Sequence, residues 1–485
     1  MQKRRMSTFE RLTGGGLNRN ERRKLARRVA AADPGLSVIN CHAAGIDVGN
    51  ESHFVAVPPD RDPNPVREFG CWTAALKEMA QWLVGCRIDT VAMQSTGVYW
   101  IALYDVLEQH GIRVVLANAH HTKTVPGRKT DVQECQWLMK LHTYGLLRDS
   151  FRMPQQIECV RTIWRLRDPH VAEAARTVQH MQKALTKMNV QLANAISDIS
   201  GMTGQAIIAA ILEGERDPWA LAELRDGRIQ ATREEIARSL EGNWREDVIF
   251  ELQQAVDAYQ FAHKQIGECD RKLQAYLATL PARTLEPAEA VETPQPIQPR
   301  VKKRKYRKPA ANAPQMDLRG ELRRICGVDL TAIDGINIMG ALTIVSEIGT
   351  DLSGFPDENH FASWLGLTGP KDISGGKPVR ARKRKVNNRV ADVLRLGAAG
   401  LLNSDTWLGA RARHLRRKAK TPAVAVKAMA RQLAVLVYRL LTRGQAWVDR
   451  GAERFEQKQQ QRDIAALSAQ ASARGFRLVP VAQMS

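Results

Sequence analysis

The chain has no apolar run long enough to span a bilayer, and its first residues, MQKRRMSTFERLTGGG, lack the apolar core of a secretion signal. Both absences lead us to expect a cytoplasmic protein with no membrane partner. It also has no Cys-x-x-Cys pair. The seven cysteines (41, 71, 86, 135, 159, 269 and 326) are odd in number and scattered, which supports neither a disulfide framework nor a zinc site. Negative charge is scarce too: Lys plus Arg reach 72 against 51 Asp plus Glu, a net +21. Such an excess suits a polyanionic partner, because each phosphate contact releases counterions, although a membrane-surface or ribosomal role would also be basic. At 485 residues and 44% hydrophobic content, two or three domains are expected.

Residues 1–42 read as a basic arm (NRNERRKLARRVAAADPG). Ala43–Pro58 (AAGIDVGNESHFVAVP) reads as two short strands, Gly45–Val48 and His53–Val57, around a polar turn with Gly49, Asn50 and Ser52. A third extended run, Val66–Trp72, precedes an amphipathic helix at Ala74–Val84. A strand at Thr90–Met93, a helix at Trp100–Glu108, a strand at Arg113–Ala117 and a helix at Thr130–Tyr144 follow. Three strands and then helix–strand alternation is the order of an RNase H-like (RuvC-like) α/β domain, placed at 43–158.

Strand signals vanish across 159–280. Val178, Met181, Leu185, Met188, Leu192, Ile196 and Ile199 predict one long helix, and Leu252, Val256, Tyr259, Ile266, Leu273 and Leu277 a second. We expect an antiparallel coiled-coil hairpin that serves dimerisation. Residues 281–316 turn Pro-rich and basic, the composition of a disordered linker. A mostly α domain is expected at 317–450. In it Leu330–Gly349 has the outline of a helix–hairpin–helix with Asn337 at the usual second turn glycine, and a late helix opens at Thr421–Pro422 with Val424, Val426, Met429, Leu433, Val437 and Leu440 as its core face. Residues 451–485 form a polar tail.

Three stretches carry candidate chemistry. Asp47 sits on a strand among Ile46, Val48 and Val55, where a carboxylate is disfavoured unless it opens the turn or holds a metal. In GRKTDVQECQWL (127–138), Thr130 reads as an N-cap closed by Gln133. Asp131 and Glu134 then share one face of the first turn, behind Arg128 and Lys129. Acids there are also favoured by the helix dipole alone. Oxygen-only ligands on two elements suit Mg2+ or Mn2+. In DISGGKPVRARKRKVNNR (372–389), Ser374 precedes two glycines and a cationic run, Lys377, Arg380, Arg382, Lys383, Arg384, Lys385 and Arg389. Such a serine can attack phosphorus if its proton is removed, yet Ser-Gly-Gly is also an ordinary turn.

Taken in order, GIDVG (45–49), VAMQSTGVYWIALYDVLE (91–108), GRKTDVQECQWLMKLHTYGLL (127–147), LTAIDGINIMGALTIVSEIG (330–349) and FASWLGLTGPKDISGGKPV (361–379) resemble the DEDD-type insertion-sequence transposases, from about Ala43 to Trp447. The resemblance implies a four-acid RuvC-like site at Asp47, Gln94, Asp131 and Glu134, with Gln94 standing where many members have an acid and Glu134 where Asp is more usual. It places the nucleophilic serine at Ser374 and implies Mg2+ (or Mn2+) as cofactor. Arg128, Lys129 and the 377–389 cations are the expected nucleic-acid contacts. It further implies donor and target DNA, a structured guide ("bridge") RNA, and a homodimer assembling to a tetramer in which the acids of one subunit face the serine of another. The expected setting is the prokaryotic cytoplasm, with nucleoid association during action. The expected reaction is DNA recombination through a covalent phosphoserine. A junction-resolvase-like metal-dependent endonuclease and a decayed nucleic-acid-binding protein are the alternatives.

Overall fold

The structure, a computed structural model, describes residues 37–95, 97–118, 130–284, 313–368, 373–374, 377–378, 387–444, 461, 464–465 and 467–477. The basic arm up to residue 36, most of the linker (285–312) and most of the tail lie outside the described residues. The chain divides into two compact units, Met1–Arg152 and Met153–Ser485.

The first unit is built on a five-stranded mixed sheet. Its elements are β1 (Ala43–Val48), β2 (Ser52–Ala56), β3 (Val66–Gly70), α1 (Thr73–Gly85), β4 (Thr90–Gln94), α2 (Trp100–Gln109), β5 (Arg113–Ala117) and α3 (Asp131–Thr143). The strand order is β3-β2-β1-β4-β5, with β1 antiparallel to β2 and parallel to β4. This order fits an RNase H-like domain. Strand side chains alternate between faces. Ala44 and Ile46, Val55 and Val57, Val91 and Met93, and Val114 and Leu116 form one core with Leu76, Met79 and Leu83 of α1 and Leu103 and Leu107 of α2. The other face of β1 and β2 is covered by α3, where Phe54 and Ala56 pack against Cys135 and Met139.

Two features fix α3. An ideal Cβ on Gly45 would stand 2.3 Å from the Cys135 carbonyl oxygen and 2.3 Å from the Met139 nitrogen, so only glycine lets the helix lie this close to β1. At the far end, a buried hydrogen bond of 2.8 Å joins Thr90 Oγ1 and His142 Nε2. Asn40 Nδ2 donates to the His142 carbonyl at 2.7 Å, tying the approach to β1 onto the same helix end. Burial, reinforced by the Arg113 charge, lowers the His142 pKa from 6.5 to about 4. Above about pH 6.5 the ring is neutral folded and unfolded. Between 6.5 and 4 only the unfolded chain takes the proton, so this unit weakens by about 1.4 kcal/mol per pH unit. Hydrogen-exchange protection of α3, corrected for intrinsic rates, is expected to fall about 30-fold more from pH 7 to pH 5 in the native chain than in His142→Asn.

In the second unit α4 (Gln155–Lys187) and four short helices, α5–α8 (Leu192–Ala195, Met202–Leu212, Pro218–Glu223 and Arg233–Ser239), lead to α9 (Glu246–Thr279). The long helices α4 and α9 run antiparallel: Arg167 meets Asp270 and Lys187 meets Glu251, and Ala174 packs on Ala262 between them. Arg167 Nε donates to Asp270 Oδ1 at 2.6 Å and Nη2 to Oδ2 at 3.1 Å, which satisfies a guanidinium that is almost wholly buried. The two apolar stripes thus face each other within one chain.

The first stripe is shorter than its spacing predicts. Helix α4 ends at Lys187, because Asn189 is left-handed (φ 59°) and Val190 N returns to the Leu185 carbonyl. Met188, Leu192, Ile196 and Ile199 are buried beyond the helix end, at the hairpin tip, in one core with Met181 and Leu185 of α4, Leu252 of α9, and Ile207, Ile211, Leu221 and Ile236.

Past the linker come α10 (Leu318–Cys326), α11 (Ile338–Ile348), α12 (Glu358–Trp364), the strand pair β6 (Ile373–Ser374) and β7 (Lys377–Pro378), α13 (Arg389–Gly400), α14 (Trp407–Lys418) and α15 (Pro422–Arg443). The hairpin outline at 330–349 is only half realised. Leu330–Ala332 is a single 3-10 turn, whereas Asn337 caps α11 by accepting from Gly340 N at 2.7 Å. Gly335 (φ 91°) carries the turn, and α13 lies so close that a Cβ on Gly397 would stand 2.3 Å from its carbonyl. The core face of α15 is also shifted. Val424 is 56% exposed, and Ala425 takes the inward place ahead of Met429, Leu433 and Val437.

Candidate catalytic acids and the serine hairpin

Asp47 lies near the C-terminal end of β1, on the face that Gly45 presents to α3. Its antiparallel partner is Phe54, which packs under that helix. Register Ile46 to Met93 brings Gln94, the last residue of β4, to the same face and the same sheet edge. Ligand sites in parallel α/β arrangements gather at such carboxyl ends. Asp47 is half-buried and Gln94 only 4% exposed.

Helix α3 delivers the other acids. Thr130 Oγ1 accepts from Gln133 N at 3.4 Å, the forward arm of the expected cap. Asp131 therefore starts the helix at an exposed rim, and Glu134, one turn on, turns inward. Gln94 Nε2 donates to Glu134 Oε1, joining the strand edge to the helix. The neighbouring Cys135 thiol is pushed up to about 12, by burial first and further by the charges of Asp47 and Asp131. Both carboxylates therefore lie within electrostatic reach of one buried atom, and Cys135 is no nucleophile at neutral pH.

The structure thus brings Asp47, Gln94 and Glu134 together on one face, with Asp131 at the rim. Among the described residues no three His, Cys, Asp or Glu side chains cluster as a metal-binding group. The donor set is two carboxylates and an amide. That fits Mg2+, which takes one or two protein carboxylates and fills its remaining positions with water and substrate phosphate. The contribution of Gly45 went unread in the sequence, although a glycine two residues before a strand carboxylate is the available signal.

In the second unit, Ser374 pairs with Lys377 across the antiparallel β6–β7 register, with Gly375 and Gly376 between them in sequence. The serine therefore sits at the last paired position before the loop. Of the predicted cationic contacts, Arg128, Lys129, Arg380, Arg382, Lys383, Arg384 and Lys385 lie outside the described residues. Arg389 opens α13 behind the Asn388 cap, and its Nη1 donates to Asp168 Oδ2 at 2.6 Å, with Glu347 at 4.0 Å from Nε.

Comparison with known families gives two matches along the chain, the first running from the sheet domain into the long helix α4. Residues 44–190 match the IS110-type DEDD transposase family. Residues 329–413 match the transposase IS116/IS110/IS902 family and hold both the Gly335 turn and the serine hairpin. No curated protein matches the chain. With both matches in that order, on a sheet of RNase H-like strand order, the chain belongs to the DNA transposases of the IS110 type.

Proposed function

We propose that the chain cuts and rejoins DNA through a covalent phosphoserine at Ser374, with Mg2+ or Mn2+ held by Asp47 and Glu134 and, at the rim, Asp131. The observation that carries this reading is the convergence of Asp47, Gln94 and Glu134 at one sheet edge within the matched DEDD segment. Ser374 Oγ forms a bond to phosphorus as the bond from phosphorus to the 3′ oxygen breaks; a base takes the serine proton, and the departing 3′ oxygen gains a proton in exchange and leaves as a hydroxyl, so no net proton is consumed. Rejoining is the reverse: a 3′ hydroxyl attacks the 5′-phosphoserine, the bond to Oγ breaks, and serine recovers its proton. When bound, the metal supplies positive charge against the developing oxyanion. Glu134 is oriented for its part by the Gln94 amide, which fixes one of its oxygens. We infer also that a structured guide RNA selects the DNA sites and that the working unit is a homo-oligomer, both from the family resemblance.

The test is denaturing-gel trapping of protein on labelled donor and target DNA, with Mg2+ and the element's flanking RNA. A protein-linked 5′ end supports the phosphoserine. Cleavage that leaves free ends favours metal-activated water instead.

Gln94 offers a second check. Gln94→Glu adds a third carboxylate at the sheet edge, repulsive without metal and attractive with it. Its melting temperature without divalent ions is expected to fall below the native value. Its half-saturating Mg2+ in thermal-shift titration is expected to fall about tenfold or more, since 1.4 kcal/mol already gives that factor.

A further inference from the structure

No Asp or Glu occurs between Asp405 and Asp449, although that stretch contains α14, the turn after it and α15. Several of its arginines are engaged. Arg439 and Arg443 pair with Glu358, Arg431 donates to Asn359, and Arg413 donates to the Leu402 and Ser404 carbonyls. Arg416, Arg417, Lys418 and Lys420 are exposed and Lys427 half-buried; among the described residues no acid pairs with any of them. Cations in the last turn of a helix also complement its dipole, which accounts for Arg416, Arg417 and Lys418 at the end of α14. It does not account for Lys420 and Lys427. Lys420 lies just before the positive end of α15, where the dipole disfavours a cation and no first-turn acid offsets it, and Lys427 lies in the second turn of that helix.

We propose that this surface, formed by the end of α14, the turn and the start of α15, docks the phosphodiester backbone of duplex DNA. Four of its cations follow one another within five positions, and Lys427 stands two turns on, so positive charge collects where no carboxylate competes. No Phe, Tyr or Trp occurs between Leu408 and Ala430. Stacking platforms are what unpaired RNA bases need, whereas a charge-only surface suits an evenly spaced row of phosphates. The surface residues, 416–427, lie in sequence beyond the end of the matched family segment at residue 413.

The test uses the full chain, a labelled duplex of arbitrary sequence and, in a parallel arm, a structured RNA of equal length. We compare the native chain with a variant carrying Arg416→Gln, Arg417→Gln, Lys418→Gln and Lys420→Gln. Duplex affinity is expected to fall at least tenfold near 0.1 M salt. The slope of log affinity against log salt should become shallower by up to about 3.6, because each of four phosphates left without its cation removes about 0.9. The paired variant Arg416→Lys and Arg417→Lys, which keeps the charge, should retain most of the affinity. An unchanged slope overturns the proposal. So does loss of RNA binding with duplex binding intact, which gives the surface to RNA. Equal loss in the charge-keeping variant also overturns it, because folding rather than charge is then at fault.

Discussion

Ser374→Ala is expected to remove every covalent protein–DNA adduct and to lower strand rejoining by roughly three orders of magnitude or more, while duplex binding stays near the native value. Loss of a nucleophile that forms the intermediate leaves no alternative route with the same product, and the effects of residues that act as a unit do not add. The substitution is mild for the fold. Ser374 belongs to a two-residue strand whose pairing to Lys377 is made by backbone groups that alanine keeps. The measurement is the labelled, protein-shifted band on a denaturing gel, with a filter-binding control for affinity. Adduct loss with intact binding supports the phosphoserine. Persistent cleavage without an adduct transfers the chemistry to water and makes the serine a turn residue.

Asp47→Ala is expected to lower strand cleavage about 10²–10³-fold, the range seen when one group that stabilises developing charge is removed. Raising Mg2+ should recover part of the activity, because Glu134 remains with Gln94 donating to it. The adduct at Ser374 should fall in parallel with cleavage if both depend on the same ion. Asp47→Asn keeps the shape and removes the charge, so it separates metal affinity from packing under α3. An adduct that persists at native levels in both variants detaches the acids from the serine chemistry.

The sheet and its carboxylate were legible because strand alternation survives around Asp47 and because Gly49, Asn50 and Ser52 mark the turn. The start of α3 was legible because Thr130 must satisfy an orphan N–H. Other features depend on tertiary contacts that spacing does not encode. The three-to-four repeat from Val178 to Ile199 runs straight through the end of α4, since the tip core needs apolar residues at the same intervals. Val424 is as apolar as a core residue, yet α15 turns it to solvent and buries the smaller Ala425. Gln94 was visible as a departure from an acid, but its bond to Glu134, forty positions on, follows only from the close approach that Gly45 allows. The serine was named by resemblance, since Ser-Gly-Gly alone is as well explained by the hairpin in which it lies.

The antiparallel pair of α4 and α9 has a mechanical consequence. Helices of 33 and 34 residues at 1.5 Å per residue make an arm about 50 Å long. Its root is fastened to the C-terminal helices: Trp164 Nε1 donates to Thr343 Oγ1, and Arg324 donates to the Leu277 and Leu280 carbonyls. At the far end the short helices α5–α8 pack with both long helices in one apolar core. A lever of that length turns a tilt of about 5° at the root into a sweep of roughly 4 Å at the tip, comparable to the 3.4 Å rise of one base pair. A change of about 5° where Trp164 meets Thr343 would therefore appear at the tip as a displacement of several ångströms.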